Sequence, residues 1–378
     1  MKKLKKFFSV FIILLSINAL GQMVNEKTLI HDFENIVSKM DFSGSVLISE
    51  NGRTLYNKAF GKQNIEDNIN NKIGTKYNYA SMGKMFTGVA IMQLVEKGKL
   101  KLTDKIIDIL PDYPNKKVAK KVSVHHLLTH TSGITAMLRP PSETYFSQHK
   151  DYLPLFVNDK LSFEPGNKMV YSNAGYLVLG LIIESVSKQT YFNYVQKNIF
   201  KTAKMSNTGF DLKRNPPKNL AVNYTSWRSP GSGKIEPIDY GHDGYSAGGG
   251  YSTVHDFSKF ASALMNFKLL NKKSTSILLK GYSDGRGSGR YSYGFTVNTI
   301  YGLNMAGHGG GGPGVNGELL IFLDQKISIA VLSNKDPHNA TFIKDAFTGL
   351  ILEEKKLLPK PTMNGDITFQ LEGYANAK

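Results

Sequence analysis

YNYASMGKMFTGVAIMQLVEKGKL, residues Tyr77 to Leu100, is a long apolar run with a serine and a lysine at its start. Ser81 and Lys84 stand three apart, a spacing that puts two side chains on one face of a helix. A hydroxyl and an amine then sit together, a nucleophile beside a base. Met85, Phe86 and Val89 surround the lysine with apolar groups, which destabilise an ammonium, and an amine neutral near pH 7 can take the serine proton. Ser81 also falls where a helix begins, so an oxyanion forming there meets unpaired backbone N–H groups and the positive end of the helix dipole. By itself such a pair is common on protein surfaces, and its meaning depends on the rest of the chain.

Upstream, Ile30, Phe33, Ile36, Val37 and Met40 recur at helical spacing. SVLIS and RTLYNKAF then flank Asn51-Gly52, a dipeptide that tolerates the positive φ angles of a tight hairpin turn. From residue 81 to about residue 280 the pattern is mostly helical, with loops rich in Gly, Pro and Asn. Strands return late: YSYGFTVNTI from Tyr291, GELLIFL from Gly317 and ISIAVLSN from Ile327, the last two joined at Asp324-Gln325-Lys326. Phe342, Ile343, Ala346, Phe347, Leu350 and Ile351 predict a closing helix with one apolar stripe. Early and late strands around a helical centre predict an α+β fold. Its antiparallel sheet is built from both ends of the chain and flanked by helices, with a mostly helical subdomain inserted between its halves.

At 378 residues and 41% hydrophobic content the chain is long and apolar enough for a large core. Residues 1–21 read as a secretory signal: Lys2, Lys3, Lys5 and Lys6, an apolar run from Phe7 to Leu15, then Ala19 and Gly21 before Gln22. That run is shorter than the roughly 20 apolar residues of a membrane span. The expected protein is therefore exported, to the periplasm or beyond, with no stable span after cleavage. The chain has no cysteine, which excludes disulfides, thiolate metal sites and a cysteine nucleophile. The formal charge is +17, and without the four leader lysines the chain carries +13. No run of five basic residues occurs and export disfavours nucleic acid, so the lysines read as a solubilising surface. Residues 22–357 form the expected catalytic domain. Residues 358–378 make a tail in which Ile367, Phe369 and Leu371 alternate like the first strand of a truncated β-sandwich module, or like an edge strand.

Two further segments complete the pattern. FEPGNKMVYSNAGYLVLGLIIE places Tyr171, Ser172 and Asn173 ahead of an apolar helix, and NMAGHGGGGPGVNGELLIFL places His308, Gly309 and Gly310 ahead of a strand. SxxK, then YxN, then HxG in this order resembles the serine β-lactamase and penicillin-binding protein family, in its class C and D-alanyl-D-alanine carboxypeptidase branch. VHHLLTHTSGI (Val124 to Ile134) and SAGGGYSTVHDFSKF (Ser246 to Phe260) resemble that branch too. The resemblance covers Phe42 to Asn334. It implies that Ser81 is acylated, that Lys84 activates it, and that Tyr171 passes a proton to the leaving group and later helps activate water. Asn173 would bind the substrate amide, His308 and Gly310 would line the site, and the amides of Ser81 and Gly311 would form the oxyanion hole. Gly309 stands where many members carry a hydroxyl that grips a substrate carboxylate. A neutral His308 would not replace it, while Gly309 to Gly312 would let a substrate backbone approach closely. The expectation is a serine hydrolase of esters, amides or D-amino-acid peptides, weak on β-lactams, needing no metal or other cofactor. Its partner would be a small-molecule or peptide substrate, including cell-wall fragments. The loops from Arg139 to Phe163 and Lys213 to Tyr245 are where substrate choice should live.

Three alternatives compete. GYSAG, Gly244 to Gly248, fits the GxSxG nucleophile elbow of α/β-hydrolases with Ser246 as nucleophile, but no buried strand precedes it. His126 and His130 lie four apart as metal ligands might, with no acidic residue beside them. Finally, the same fold can serve as a non-catalytic sensory module for cell-wall fragments. Nothing in the sequence fixes an oligomeric state.

Overall fold

Strands from the beginning and the end of the fold share one sheet because both sets are apolar enough to be buried together. A computed structural model describes residues 30–354 apart from 32, 137, 139–144, 241, 286–288 and 301. The leader and the tail read from the sequence lie outside these residues. The main sheet contains β1 (Gly44–Glu50), β2 (Arg53–Phe60), β3 (Ser283–Asp284), β4 (Arg290–Tyr291), β5 (Thr296–Ile300), β6 (Leu303–Gly312), β7 (Val315–Phe322) and β8 (Ile327–Ser333). Its order is β2-β1-β8-β7-β6-β5-β4-β3, and every neighbouring pair is antiparallel. Within it β8 is buried along its whole length, and β1 up to its last residue. Asn51 and Gly52 turn the first hairpin with φ of 51° and 82°, as the dipeptide predicts.

The helices that matter for the site are α1 (Lys84–Glu96), α2 (Val124–Leu128), α3 (Asn173–Ser187), α4 (Val254–Met265) and α5 (Asn339–Glu354). α1 is buried on every side from Lys84 to Leu94, which is why its sequence shows no polar face. Phe86 alone meets the rings of Tyr79, Phe200, Phe257 and Phe260. α4 lies against β1 and β8, so the middle of the chain returns to cover the sheet that both ends build.

The α+β architecture agrees with the sequence reading, with three differences. YSYGFTVNTI is two strands, not one, because the chain turns between Tyr291 and Thr296, where the Ser292 amide donates to the Phe295 carbonyl at 2.7 Å. The glycines after His308 do precede a strand, β7, but they also belong to one themselves, β6. The segment from 81 to 280 also contains short strands: Asn223–Thr225 pairs antiparallel with Glu236–Ile238, and Tyr251–Ser252 pairs antiparallel with Tyr77–Asn78, upstream of the segment.

Among the described residues, those from 30 to 41 and from 342 to 354 belong to a separate compact unit. In it Phe33 and Phe347 meet edge to face, 5.2 Å apart. The predicted stripe on α5 is narrower than expected: Ile343 and Phe347 are buried, but Phe342 is 46% exposed.

Candidate active site

Ser81 lies in a 3-10 turn, Ala80–Gly83, and Lys84 is the first residue of α1. The turn is held by the Met82 amide donating to the Tyr79 carbonyl and by the Gly249 amide donating to that of Ala80. Lys84 is 0% exposed. Its Nζ lies 2.8 Å from Asn173 Oδ1, 2.5 Å from the Ala247 carbonyl oxygen and 3.2 Å from Ser81 Oγ. Two of these atoms can only accept, so each takes an N–H from the amine. The third belongs to a hydroxyl, which can donate. As an ammonium, Lys84 donates to all three; as a neutral amine it would keep its two N–H groups on the carbonyls and turn its lone pair to the Ser81 O–H.

Tyr171 joins this group from the segment before α3, with Lys84 Nζ 4.7 Å from its ring centroid. The α3 N-cap explains the YSN order. Ser172 Oγ accepts from the Gly175 amide at 3.0 Å, which starts the helix at Asn173 and brings the Asn173 amide group to Lys84. Ser81, Lys84, Tyr171 and Asn173, read from separate motifs, therefore converge.

The third motif arrives along β6. Strand β5 pairs with β6 only up to Gly307, so His308 to Gly312 are paired with β7 alone. A Cβ on Gly310 would lie 2.5 Å from the Tyr79 carbonyl oxygen and 2.9 Å from the Ser81 amide nitrogen. Gly310 thus abuts the Ser81 turn, and Gly311 follows on the same strand, opposite Asn316. Asn316 donates to the Gly310 carbonyl at 3.1 Å and accepts from the Ala340 amide at 2.7 Å, fixing this end of the strand.

The glycine run also serves the protein's own packing. The missing side chains make room for the protein's own atoms: the Glu318 carboxylate at Gly309, Pro337 at Gly311 and the Tyr240 hydroxyl at Gly312, each within 2.8 Å of where a Cβ would stand. His308 is buried, its Nε2 3.1 Å from the Tyr291 hydroxyl and its Nδ1 against the Gly309 carbonyl. With Nδ1–H donating to that carbonyl, Nε2 accepts from Tyr291 and both ring nitrogens are engaged.

Ser246 is no elbow nucleophile. It is 0% exposed and lies in a tight turn in which the Tyr245 amide donates to the Gly248 carbonyl. Its amide donates to His149 Nε2 at 3.1 Å and its carbonyl accepts from Thr87 Oγ1 at 2.6 Å. The segment's contribution to the site is the neighbouring Ala247 carbonyl. The two histidines of the metal alternative are committed to backbone: His126 Nδ1 accepts from the Ser123 amide and His130 Nδ1 from the Ser172 amide. Burial chiefly, with the nearby Lys105 and His125, lowers the His126 pKa to about 4. Among the described residues no three His, Asp or Glu side chains gather as metal ligands.

The loops expected to shape substrate choice are joined through Asp243. Its carboxylate accepts from the Tyr145 hydroxyl, from the amides of Leu212 and Lys213, and from Arg214. Burial works to raise its pKa, but these bonds outweigh it and hold the group below the ordinary aspartate value. Residues 139–144 of the first loop lie outside the described residues.

The fold and this constellation are those of a serine hydrolase. More specifically, the chain belongs to the beta-lactamase family, whose model matches residues 33–352. It is 28% identical over 324 residues to penicillin-binding protein 4* of Bacillus subtilis, covering 80% of this chain and 70% of that one. It is 32% identical over 184 residues to Protein flp of Staphylococcus aureus, covering 48% of this chain but only 37% of that relative's length. Among solved structures, a penicillin-binding protein from Bacillus halodurans superposes with a TM-score of 0.75 at 30% identity, covering 86% of this chain and 98% of that one. Among the described residues no helix is long and apolar enough to cross a membrane.

Proposed function

We propose that the protein is an exported hydrolase that cleaves ester, amide or D-amino-acid peptide bonds through an acyl-enzyme on Ser81, and that it turns over β-lactams weakly. The observation that carries this reading is the position of Lys84 Nζ, whose N–H groups go to two carbonyl oxygens while Ser81 Oγ lies 3.2 Å away. Ser81 Oγ bonds to the acyl carbon as its proton passes to Lys84. Tyr171 delivers a proton to the leaving group as the scissile bond breaks. Water, deprotonated by the same pair, then attacks the acyl carbon and displaces Ser81 Oγ. The amides of Ser81 and Gly311 hold the oxyanion in both steps, and Asn173 binds the substrate amide.

Substrate class follows from what the β6 edge offers. Both ring nitrogens of His308 are engaged within the protein, and the Glu318 carboxylate fills the space beside Gly309. This supports neutral acyl donors over substrates held by a free carboxylate, such as β-lactams and peptides ending in D-Ala-D-Ala.

The test is a panel of p-nitrophenyl esters, D-amino-acid anilides, D-Ala-D-Ala peptides and β-lactams, run on wild type, Ser81→Ala and Ser246→Ala. Turnover should vanish in Ser81→Ala and persist in Ser246→Ala, whose hydroxyl is buried without a hydrogen-bond partner. A chromogenic cephalosporin hydrolysed as fast as the best ester would refute the substrate class. Failure of a fluorophosphonate probe to label Ser81 would leave a sensory module instead of an enzyme.

A further inference from the structure

His130 belongs to VHHLLTHTSGI, a stretch to which the proposed mechanism gives no task, yet the structure sets it against Tyr171 from three directions. Its carbonyl accepts from the Val170 amide at 2.9 Å. Its Nδ1 accepts from the Ser172 amide at 3.1 Å. Its ring lies on that of Tyr171, 4.3 Å between centroids, with Tyr176 and Tyr291 at 5.0 and 4.6 Å completing the packing. The residues on both sides of Tyr171 are thus bonded to one histidine, which also supports the phenol ring. His130 itself is fixed: it is 1% exposed and its backbone holds a φ of 58° beyond the end of α2.

We infer that His130 is a positioning residue for Tyr171, acting through an Nδ1 that accepts the Ser172 N–H. This rests on the reading of Tyr171 as the group that protonates the leaving group. The hydrogen-bond direction places the proton of the neutral ring on Nε2. Protonation of Nδ1 would set N–H against N–H and release the backbone that carries Tyr171. The residue touches neither substrate nor Ser81, so its effect should follow the task of Tyr171 and not the whole reaction. An amide leaves as a strong base and needs a proton, whereas p-nitrophenolate leaves without one. Misplacing Tyr171 therefore penalises acylation by amides selectively, which kcat/KM reads because it ends at the acyl-enzyme; deacylation, in which Tyr171 also acts, is common to both substrates.

Two replacements tolerate a positive φ and differ in the acceptor. Asn in His130→Asn presents a side-chain oxygen near the site of Nδ1; Gly in His130→Gly presents nothing. Both lose the ring, so their difference isolates the hydrogen bond. In His130→Gly, kcat/KM on a D-amino-acid anilide should fall by about 10²-fold, the usual scale of acid–base assistance. On the matching p-nitrophenyl ester kcat/KM should fall far less. His130→Asn should restore most of the anilide rate. An equal loss on both substrates in His130→Gly, or no recovery in His130→Asn, overturns the inference. A second measurement needs no variant to turn over substrate: ¹⁵N NMR of histidine-labelled wild type, with the His130 signals assigned by their absence in His130→Asn, should show Nδ1 unprotonated and Nε2 bearing hydrogen. The opposite tautomer overturns the inference. Activity surviving in Ser81→Ala would instead overturn the proposed function, so the two failures are distinguishable.

Discussion

Lys84 must satisfy two carbonyl oxygens before it can serve a hydroxyl, and that requirement tells an amine from a guanidinium. Lys84→Arg keeps the charge and the donors but has no lone pair, since arginine stays protonated in proteins. Its kcat on the best ester should fall as far as in Lys84→Ala, by about 10²–10⁴-fold; a variant retaining a tenth of the wild-type rate would mean that Lys84 acts only as a charge. At this scale Ser81 and Lys84 were legible from their three-residue spacing at the start of an apolar helix, whereas Tyr171 and Asn173 were picked out by the resemblance of their motif, and the structure sets all four side by side. The Ala247 carbonyl was not legible, since a backbone acceptor leaves no mark in residue type. His130 was visible only as half of a metal-ligand pair with no acidic partner, and its bond to the Ser172 amide gives it a different role.

Strand β6 carries its chemistry where it departs from a good strand sequence. Gly309 to Gly312 offer no alternation of apolar side chains and low β-propensity, so the residue pattern marked no strand there, and it became apparent only from its register with β7. The other strands were legible because β1, β7 and β8 are rich in Ile, Leu and Val and are bounded by turn residues. Gly310→Ala tests the close approach to the Ser81 turn. With the Tyr79 carbonyl 2.5 Å from the new Cβ, the strand must shift, at about 1–3 kcal/mol in chemical denaturation. Catalysis should drop by about 10²-fold, the scale expected of a 1 Å misplacement. Gly74→Ala, where nothing lies within 4 Å of the added Cβ, is the control and should match wild type in both measurements.

Across the whole molecule, stability should depend on pH in two stages. Burial is the main cause that lowers the pKa values of His125, His126 and His255, against about 6.5 in the unfolded chain. The unfolded state then binds more protons as pH falls below 6.5, so stability present at neutral pH is lost on the way to about 4, the value for His126. Asp243 and Asp336 are held below the ordinary aspartate value because their hydrogen bonds outweigh burial. What they contribute is present above that value and is lost as pH falls through their folded values. The urea midpoint should therefore already be lower at pH 5 than at pH 7.5 and drop further below pH 4; an unchanged midpoint between the first two would exclude the histidine stage. One feature of the sheet also bears on how the molecule comes into being. The Ser333 hydroxyl reaches the Ser43 carbonyl across 290 residues of chain, and β1 takes its place between β2 and β8 only when β8 exists to receive it. At the usual 5–20 residues per second of synthesis, that interval is roughly a quarter of a minute to a minute. The first strand to be made is among the last to be seated, and until then it is a sticky apolar ribbon open to pairing with other chains.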